Sequence, residues 1–218
     1  GIHTQSITQG VQFDIYGNGQ QVSTGWVMPD NGLLVLDRNR DGSINGGTEL
    51  FGVGTNLANG QKATNGYQAL AELDTDADGQ ITSADAAFSD LMVWVDSNSD
   101  GVSETSELHS LESLRISQLN LQAQSTFVVD SGNVIGLASS YTTTDGTTRD
   151  MVDVWFATSD SNASGGVASL PPPAPVPPLQ LPPLPGEMPA GPSYAPVFHT
   201  EDATLVPAGE SYSLVAAG

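Results

Sequence analysis

The sequence predicts an α+β fold in which small strands and short helices are organised around acidic loops, followed by a Pro-rich extended tail. Three observations predict it: acidic loops recur between residues 37 and 107, short apolar runs flank them, and every proline except Pro29 lies after residue 170. Apolar alternation with a period of two favours strands, whereas apolar residues three and four apart favour helices.

The elements can be predicted in chain order from these periods. Helical spacing occurs at 67–73, after Ser83 as a capping residue, and after Ser103 or Thr105, where leucines recur along one stripe. Asn-Gly pairs, such as Asn18-Gly19, mark tight turns between the elements. Strand patterns occur at 11–15, 32–37, 92–95, 116–121, 126–129, 134–139 and 151–156.

The charge composition restricts the classes of partner. The 218-residue chain has 5 Lys and Arg against 25 Asp and Glu, which gives a formal net charge of −20. Such a chain repels phosphate, which excludes nucleic acid and attachment to anionic lipid through a basic patch. It has no cysteine, which excludes disulfides and thiolate zinc sites, and no apolar run approaches the ~18 residues of a membrane span. A divalent cation is the natural partner for this charge.

Composition also divides the chain near residue 160. Residues 1–158 hold all the basic residues and all three tryptophans, and they are predicted to form one folded module. Residues 159–194 are Ser/Gly-rich and then Pro-rich, a composition that favours a flexible linker followed by polyproline II. Residues 195–218 are predicted to be a tail or the start of a neighbouring domain. Because the chain begins at Gly1, we expect a fragment or a processed product.

Two acidic loops match the spacing of an EF-hand calcium loop. Such a loop places oxygen ligands at positions 1, 3 and 5, glycine at 6, a backbone carbonyl at 7 and a carboxylate at 12. In loop 2, residues 74–85, these positions are occupied by Asp74, Asp76, Asp78, Gly79, Gln80 and Asp85. In loop 3, residues 96–107, they are occupied by Asp96, Asn98, Asp100, Gly101, Val102 and Glu107. The shorter aspartate that closes loop 2 predicts a weaker preference for calcium over magnesium.

Loop 1, residues 37–49, departs from this spacing by one residue. Thr48 occupies its twelfth position and Glu49 its thirteenth, so Glu49 closes the site only if the loop bulges. The predicted ligands of loop 1 are Asp37, Asn39, Asp41, the carbonyl of Ser43, and Glu49. Ser103 at the eighth position of loop 3, where an apolar residue is commoner, predicts weak pairing with a neighbouring loop.

Other interpretations of these carboxylates are less favourable. A single loop of this kind can be an Asx-rich turn, but three of them within 71 residues predict an EF-hand-like module with two to three bound Ca²⁺ ions. A fourth candidate at 14–19 has Tyr16 where an oxygen ligand is needed, and we interpret it as a hairpin turn. Acid pairs also serve glycosidases, but here the loop spacing is explained by metal binding.

Charge crowding predicts that the metal governs folding. Nine carboxylates and no basic residue lie between Asp74 and Glu107, and without cations these groups repel one another at close range. We therefore expect residues 1–158 to be disordered or molten without calcium and to fold with it, as a monomer.

The order of the motifs resembles a known family. The chain is similar, over roughly residues 1–157, to the self-processing modules of bacterial RTX proteins in the runs GWVMPDNGLLVLDRNRDGSINGGTELFG, NGYQALAELDTDADGQI, VWVDSNSDGVSETSEL and DGTTRDMVDVWF. The resemblance implies calcium-induced folding within a large exported parent polypeptide, type I secretion, and an extracellular or cell-surface location. It also implies the 13-residue form of loop 1, and autocatalytic cleavage at an Asp-Pro bond with transfer of the new aspartyl end to a lysine amine.

This chain contains no bond at which that cleavage could occur. The sequence contains no Asp-Pro dipeptide, and the family's scissile aspartate would lie before Gly1. We therefore expect a non-enzymatic calcium-binding folding module in a larger polypeptide. The alternative is a self-processing module whose scissile residue lies upstream, and a restored Asp-Pro leader would discriminate between the two.

Overall fold

The computed structural model describes residues 1–159 and the backbone of 210–217, and within these residues strands predominate. The single α-helix there, α1, covers Gly66–Ala71, and short 3-10 helices cover Phe88–Asp90 and Thr105–Glu107. The strands are β1 Thr4–Gln5, β2 Val11–Phe13, β3 Val22–Thr24, β4 Trp26–Val27, β5 Asn31–Leu36, β6 Gln80–Thr82, β7 Leu91–Trp94, β8 Leu108–Ser110, β9 Ile116–Asn120, β10 Gln124–Asp130, β11 Asn133–Thr143, β12 Thr148–Ser159 and β13 Glu210–Ala217. Apart from Ser159, the predicted linker lies outside the described residues.

Antiparallel pairing joins eleven of the described strands into one sheet. Its main path runs β6-β9-β11-β12-β13-β5-β7-β8, while β10 pairs with β11, β3 with β12, and β2 with β3. Strand β13 comes from the segment predicted as a tail or neighbouring domain. It pairs with β12 on one side and with β5 on the other, so it connects the two halves of the sheet.

Two apolar clusters cover the two faces of the central strands. Strand β5 is buried on both faces because Leu34 points into the first cluster, whereas Leu33 and Val35 point into the second. This explains why the apolar run at 32–36 is continuous rather than alternating. The second cluster contains an aromatic group in which the rings of Trp26 and Trp94 meet edge to face at 5.4 Å.

The prediction of an α+β fold organised around EF-hand helices is wrong. Among the described residues strand is the commonest regular structure, α1 has only six residues, and no described loop lies between two α-helices. The helix predicted after Ser83 is a single 3-10 turn, and the one predicted after Thr105 ends at Glu107 because Leu108 begins β8 and pairs with Trp94. Helices this short are marginal on their own, so strand pairing with distant residues prevails.

Local signals did identify the helix α1. It begins at Gly66, one residue before the predicted start, because the Asn65 side chain caps it by accepting the Gln68 N–H at 2.8 Å. It ends at Ala71, two residues earlier than predicted, before loop 2 begins. In the described part of the chain, no helix is long and apolar enough to cross a membrane.

Candidate metal-binding loops

The three acidic loops share one backbone conformation. The carboxylate of the first aspartate accepts the N–H groups of the fifth and sixth residues, at 2.9–3.2 Å. The fourth residue is left-handed in each loop, and so is the glycine at position six, as the sharp turn requires. These left-handed residues are Arg40, Ala77 and Ser99 at position four and Gly42, Gly79 and Gly101 at position six.

Loop 1 brings its closing carboxylate into the cluster. Carboxylate oxygens of Asp37, Asp41 and Glu49 all lie within 4.8 Å of one another. Glu49 is 1% exposed, its Oε2 accepts the Asn45 N–H at 3.0 Å, and its Oε1 has no hydrogen-bond partner. A buried carboxylate oxygen without a donor is costly unless a cation pairs with it, so this donor set fits a hard divalent ion.

The electrostatic environment of Glu49 is consistent with this geometry. Burial raises the pKa of Glu49, and the nearby Asp41 and Asp37 carboxylates raise it further, while the backbone N–H groups of Asn45 and Asn39 oppose the shift. Three carboxylates held this close repel one another, and a divalent cation between them would remove the repulsion.

Loop 2 gathers its first three carboxylates but not its fourth. Oxygens of Asp74, Asp76 and Asp78 lie within 4.8 Å of one another. Asp85 instead accepts the N–H and hydroxyl of Thr75 through Oδ1 and the N–H of Thr82 through Oδ2. The hydrogen bonds from Thr82 and Thr75 lower the pKa of Asp85. Its carboxylate therefore ties the two ends of the loop together.

Loop 3, which has the complete spacing, ties its carboxylates to the aromatic core. Asp96 is fully buried, and its Oδ2 accepts the indole N–H of Trp26 at 2.7 Å. Glu107 accepts the N–H and hydroxyl of Ser97 at 2.9 Å and the indole N–H of Trp94 at 3.3 Å. Among the described residues, groups of three acids within 4.8 Å occur in loops 1 and 2 and not here.

The remaining predicted ligands lie where the shared loop backbone puts them. Asn39 and Asn98, at position three, accept the N–H of the fifth residue at 2.9 and 3.1 Å. At position seven, each N–H donates to the side chain of the fifth residue at 2.8–2.9 Å. The residues at this position are Ser43, Gln80 and Val102.

Loops 1 and 3 are joined at their eighth positions. The Ile44 N–H donates to the Ser103 hydroxyl at 2.6 Å, so the serine that predicted weak pairing supplies the contact itself. The residue type at this position could have indicated the contact between the loops, because a serine hydroxyl can accept a hydrogen bond and an apolar side chain cannot.

Residues 14–19 adopt the same conformation as the three acidic loops. Asp14 accepts the N–H groups of Asn18 and Gly19, and Gly17 and Gly19 are left-handed. The interpretation as a hairpin turn is confirmed, because this segment joins the antiparallel strands β2 and β3. The Asp and Gly five residues apart are the sequence signal for its loop conformation. Tyr16 at the third position offers no carboxylate, and its hydroxyl instead hydrogen-bonds to that of Thr158.

Trp26→Phe should destabilise the fold by roughly 1–3 kcal/mol, because the buried Asp96 oxygen loses its indole donor. In saturating calcium Trp94→Phe should cost less, because its hydrogen bond to Glu107 is longer, at 3.3 Å against 2.7 Å, and an ion held by loop 3 would pair with the Glu107 oxygen that loses it. Urea denaturation in saturating calcium measures both. An equal or smaller loss for Trp26→Phe would contradict the role given to the Asp96 contact.

Comparison with known proteins defines the class to which the chain belongs. The model of the SPM domain matches residues 1–157, and the chain belongs to this family. It is similar to the iron-regulated protein FrpA of Neisseria meningitidis serogroup C, with 48% identity over 149 residues. The alignment covers 68% of this chain and 13% of FrpA, so the chain spans a small part of the relative's length. These matches confirm that residues 1–157 form a module related to the one the motifs resemble.

Proposed function

We propose that this chain is a calcium-binding folding module of a large, exported RTX-type protein. The observation that carries the proposal is the Glu49 carboxylate. Its buried Oε1 has no hydrogen-bond partner, and one of its oxygens lies within 4.8 Å of carboxylate oxygens of Asp37 and Asp41. Oxygen-only ligands favour calcium or magnesium, and the chain has no cysteine to favour a soft metal. Loop 2 supplies a second cluster of three carboxylates for another ion.

Two to three ions would each be held by a different loop. In loop 1 the ligands would be Asp37, Asn39, Asp41, the Ser43 carbonyl and Glu49. In loop 2 they would be Asp74, Asp76, Asp78 and the Gln80 carbonyl. Asp85 would hold the two ends of this loop together through its hydrogen bonds. In loop 3 they would be Asp96, Asn98, Asp100, the Val102 carbonyl and Glu107, whose carboxylate would exchange its present hydrogen bonds for the metal.

Metal binding would stabilise the folded chain by mass action. An ion that binds only the folded state contributes about 2.7 kcal/mol at a hundredfold excess over its dissociation constant. Against a typical total of ~5–15 kcal/mol, two such ions decide whether the module folds. Loops 1 and 3 would respond together, because the Ile44–Ser103 hydrogen bond joins them.

A location outside the cell follows from this dependence. The chain aligns with 13% of a much longer relative, which supports a parent polypeptide as its partner. A calcium-dependent module would stay unfolded at low intracellular calcium and fold after type I secretion, at the cell surface or beyond. The charge of −20 argues against nucleic acid as a partner.

A calcium titration of the chelator-stripped chain tests the proposal. Far-ultraviolet circular dichroism and the number of bound ions are followed together, with magnesium as the control cation. We expect a cooperative gain of strand signal with at least two ions bound, and a weaker response to magnesium. A chain that is folded in chelator and binds no ion would refute the proposal.

Self-processing is a second candidate, supported by how the first residues are held. The Thr4 N–H and hydroxyl both donate to Asp130, and the Asn133 amide donates to Thr4 and Gln5. A leader attached to Gly1 would therefore be delivered to a fixed place, beside a cleft of about 560 Å³ that His3 and Asp130 line. When an Asp-Pro leader and calcium are added, mass spectrometry should detect a cleaved product. An uncleaved chain would exclude self-processing.

A further inference from the structure

Strand β10 is an exposed apolar edge. Phe127, Val128 and Val129 are consecutive and 71%, 50% and 54% exposed. Among the described strands, β10 pairs only with β11, so its other edge is open. A register shift between Ser125 and Val128 places one extra residue on β10, which bends the strand locally and increases its twist. Contiguous exposed apolar side chains on an open edge are typical of an interaction surface.

The surface around β10 is also nearly free of charge. Residues 116–144, which include β9, β10 and β11, contain one charged residue, Asp130, in a chain with 30. Asp130 is already engaged, because its carboxylate and its carbonyl accept hydrogen bonds from Thr4. The open part of the edge is therefore 124–129, and it carries no charge.

We propose that two copies of this chain associate through this edge, with their β10 strands antiparallel about a two-fold axis near Phe127. In this register the two Phe127 side chains lie directly opposite each other, and each Val129 lies diagonal to Phe127 of the other copy. Each Asp130 lies at an outer end, away from its counterpart. A two-fold contact of this kind uses the same surface on both copies and closes on itself.

Charge identifies a second copy as the occupant. Two chains that each carry −20 repel one another over most of their surfaces, and they can approach where the charge is absent. A basic partner would be drawn instead to the acidic loops. Six residues of strand bury a small area, so the dimer is weak and the monomer dominates at low concentration. Salt should strengthen the dimer, because it screens the repulsion between the remaining surfaces.

Sedimentation equilibrium of the full chain in saturating calcium tests the proposal. From about 10 µM to about 1 mM, the weight-average mass should rise toward that of a dimer, and more so in 0.5 M NaCl than in 0.05 M. The double variant Phe127→Ser/Val129→Ser should weaken self-association at least about tenfold. The control Leu114→Ser removes an apolar side chain that is 37% exposed elsewhere, and it should leave self-association unchanged.

A cysteine introduced at the edge locates the contact. The chain has no cysteine, so Phe127→Cys provides a single thiol on the two-fold axis and keeps a small apolar side chain there. Under mild oxidation it should give a disulfide-linked dimer, because the two copies of a residue on the axis lie directly opposite each other, within disulfide range, while Ser113→Cys should not. A monomer at every concentration, association that salt weakens, or equal cross-linking by both variants would overturn the proposal. The calcium requirement is tested separately, so either proposal can fail alone.

Discussion

Asp153→Asn should stabilise the folded chain at pH 8 by about 2 kcal/mol. Asp153 is fully buried in β12, where Oδ2 accepts the Gly66 N–H at 2.8 Å and Oδ1 has no hydrogen-bond partner. Burial raises its pKa from 3.8 to about 7, and the hydrogen bond from Gly66 opposes the shift. At pH 8 the folded chain therefore holds an ionised carboxylate where water cannot reach it.

The pH dependence follows from this pKa. Below pH 3.8 the Asp153 carboxyl is protonated in both the folded and the unfolded chain. As the pH rises toward 7, the unfolded carboxyl has released its proton and the folded one has not, so the folded state loses stability. The shift corresponds to about 4 kcal/mol of folding stability lost at pH 8. Asparagine removes this loss, but its buried amide has an unpaired group that costs about half as much, so a gain of about 2 kcal/mol remains.

Urea denaturation at pH 5 and pH 8 in saturating calcium measures this effect. The gain from Asp153→Asn should be large at pH 8 and small or absent at pH 5. Asp150→Asn, on the same strand but exposed, is the matched control and should change little at either pH. Equal gains at both pH values, or no gain at pH 8, would show that the buried carboxylate does not set the pH dependence.

Glu49→Gln should weaken the calcium affinity of loop 1 at least about tenfold. Glutamine keeps the size of the side chain and can still accept the Asn45 N–H, but it removes the charge that faces Asp37 and Asp41. One fewer ion should bind at moderate calcium, and the calcium concentration at the midpoint of folding should rise.

Isothermal titration calorimetry on the full chain gives the affinity and the stoichiometry for this variant. Glu112→Gln, at an exposed position outside the loops, makes the same chemical change and should leave both quantities unchanged. Unchanged affinity and stoichiometry in Glu49→Gln would remove loop 1 as a calcium site.

The closing carboxylates show where sequence reasoning about the site reached its limit. Spacing alone assigned Asp85 and Glu107 to ideal positions and Glu49 to an offset one. In the structure Asp85 and Glu107 accept hydrogen bonds from protein groups through both oxygens, and Glu49 has an oxygen with no partner. The partners of Glu107 include Trp94, whose position depends on the packed aromatic core and not on the loop spacing.

Some elements of the fold could likewise be predicted from the sequence, and others could not. Helix α1 could be predicted because Asn65 caps it locally, and β5 because its apolar run is continuous. The helices expected after Ser83 and Thr105 are instead 3-10 turns followed by β7 and β8, since pairing with distant strands outweighs weak local spacing. Strand β13 could not be placed, because its partners β5 and β12 are remote in sequence.

The three acidic loops and the net negative charge could both be predicted from the sequence alone. The loop backbone depends on hydrogen bonds that span at most five residues, and the net charge is a property of composition. Three features are visible only in the folded chain: Glu49 has an oxygen without a partner, Asp153 is buried without a counter-charge, and β10 exposes Phe127. The burial of Asp153 depends on which distant strands pair, and no local pattern encodes that pairing.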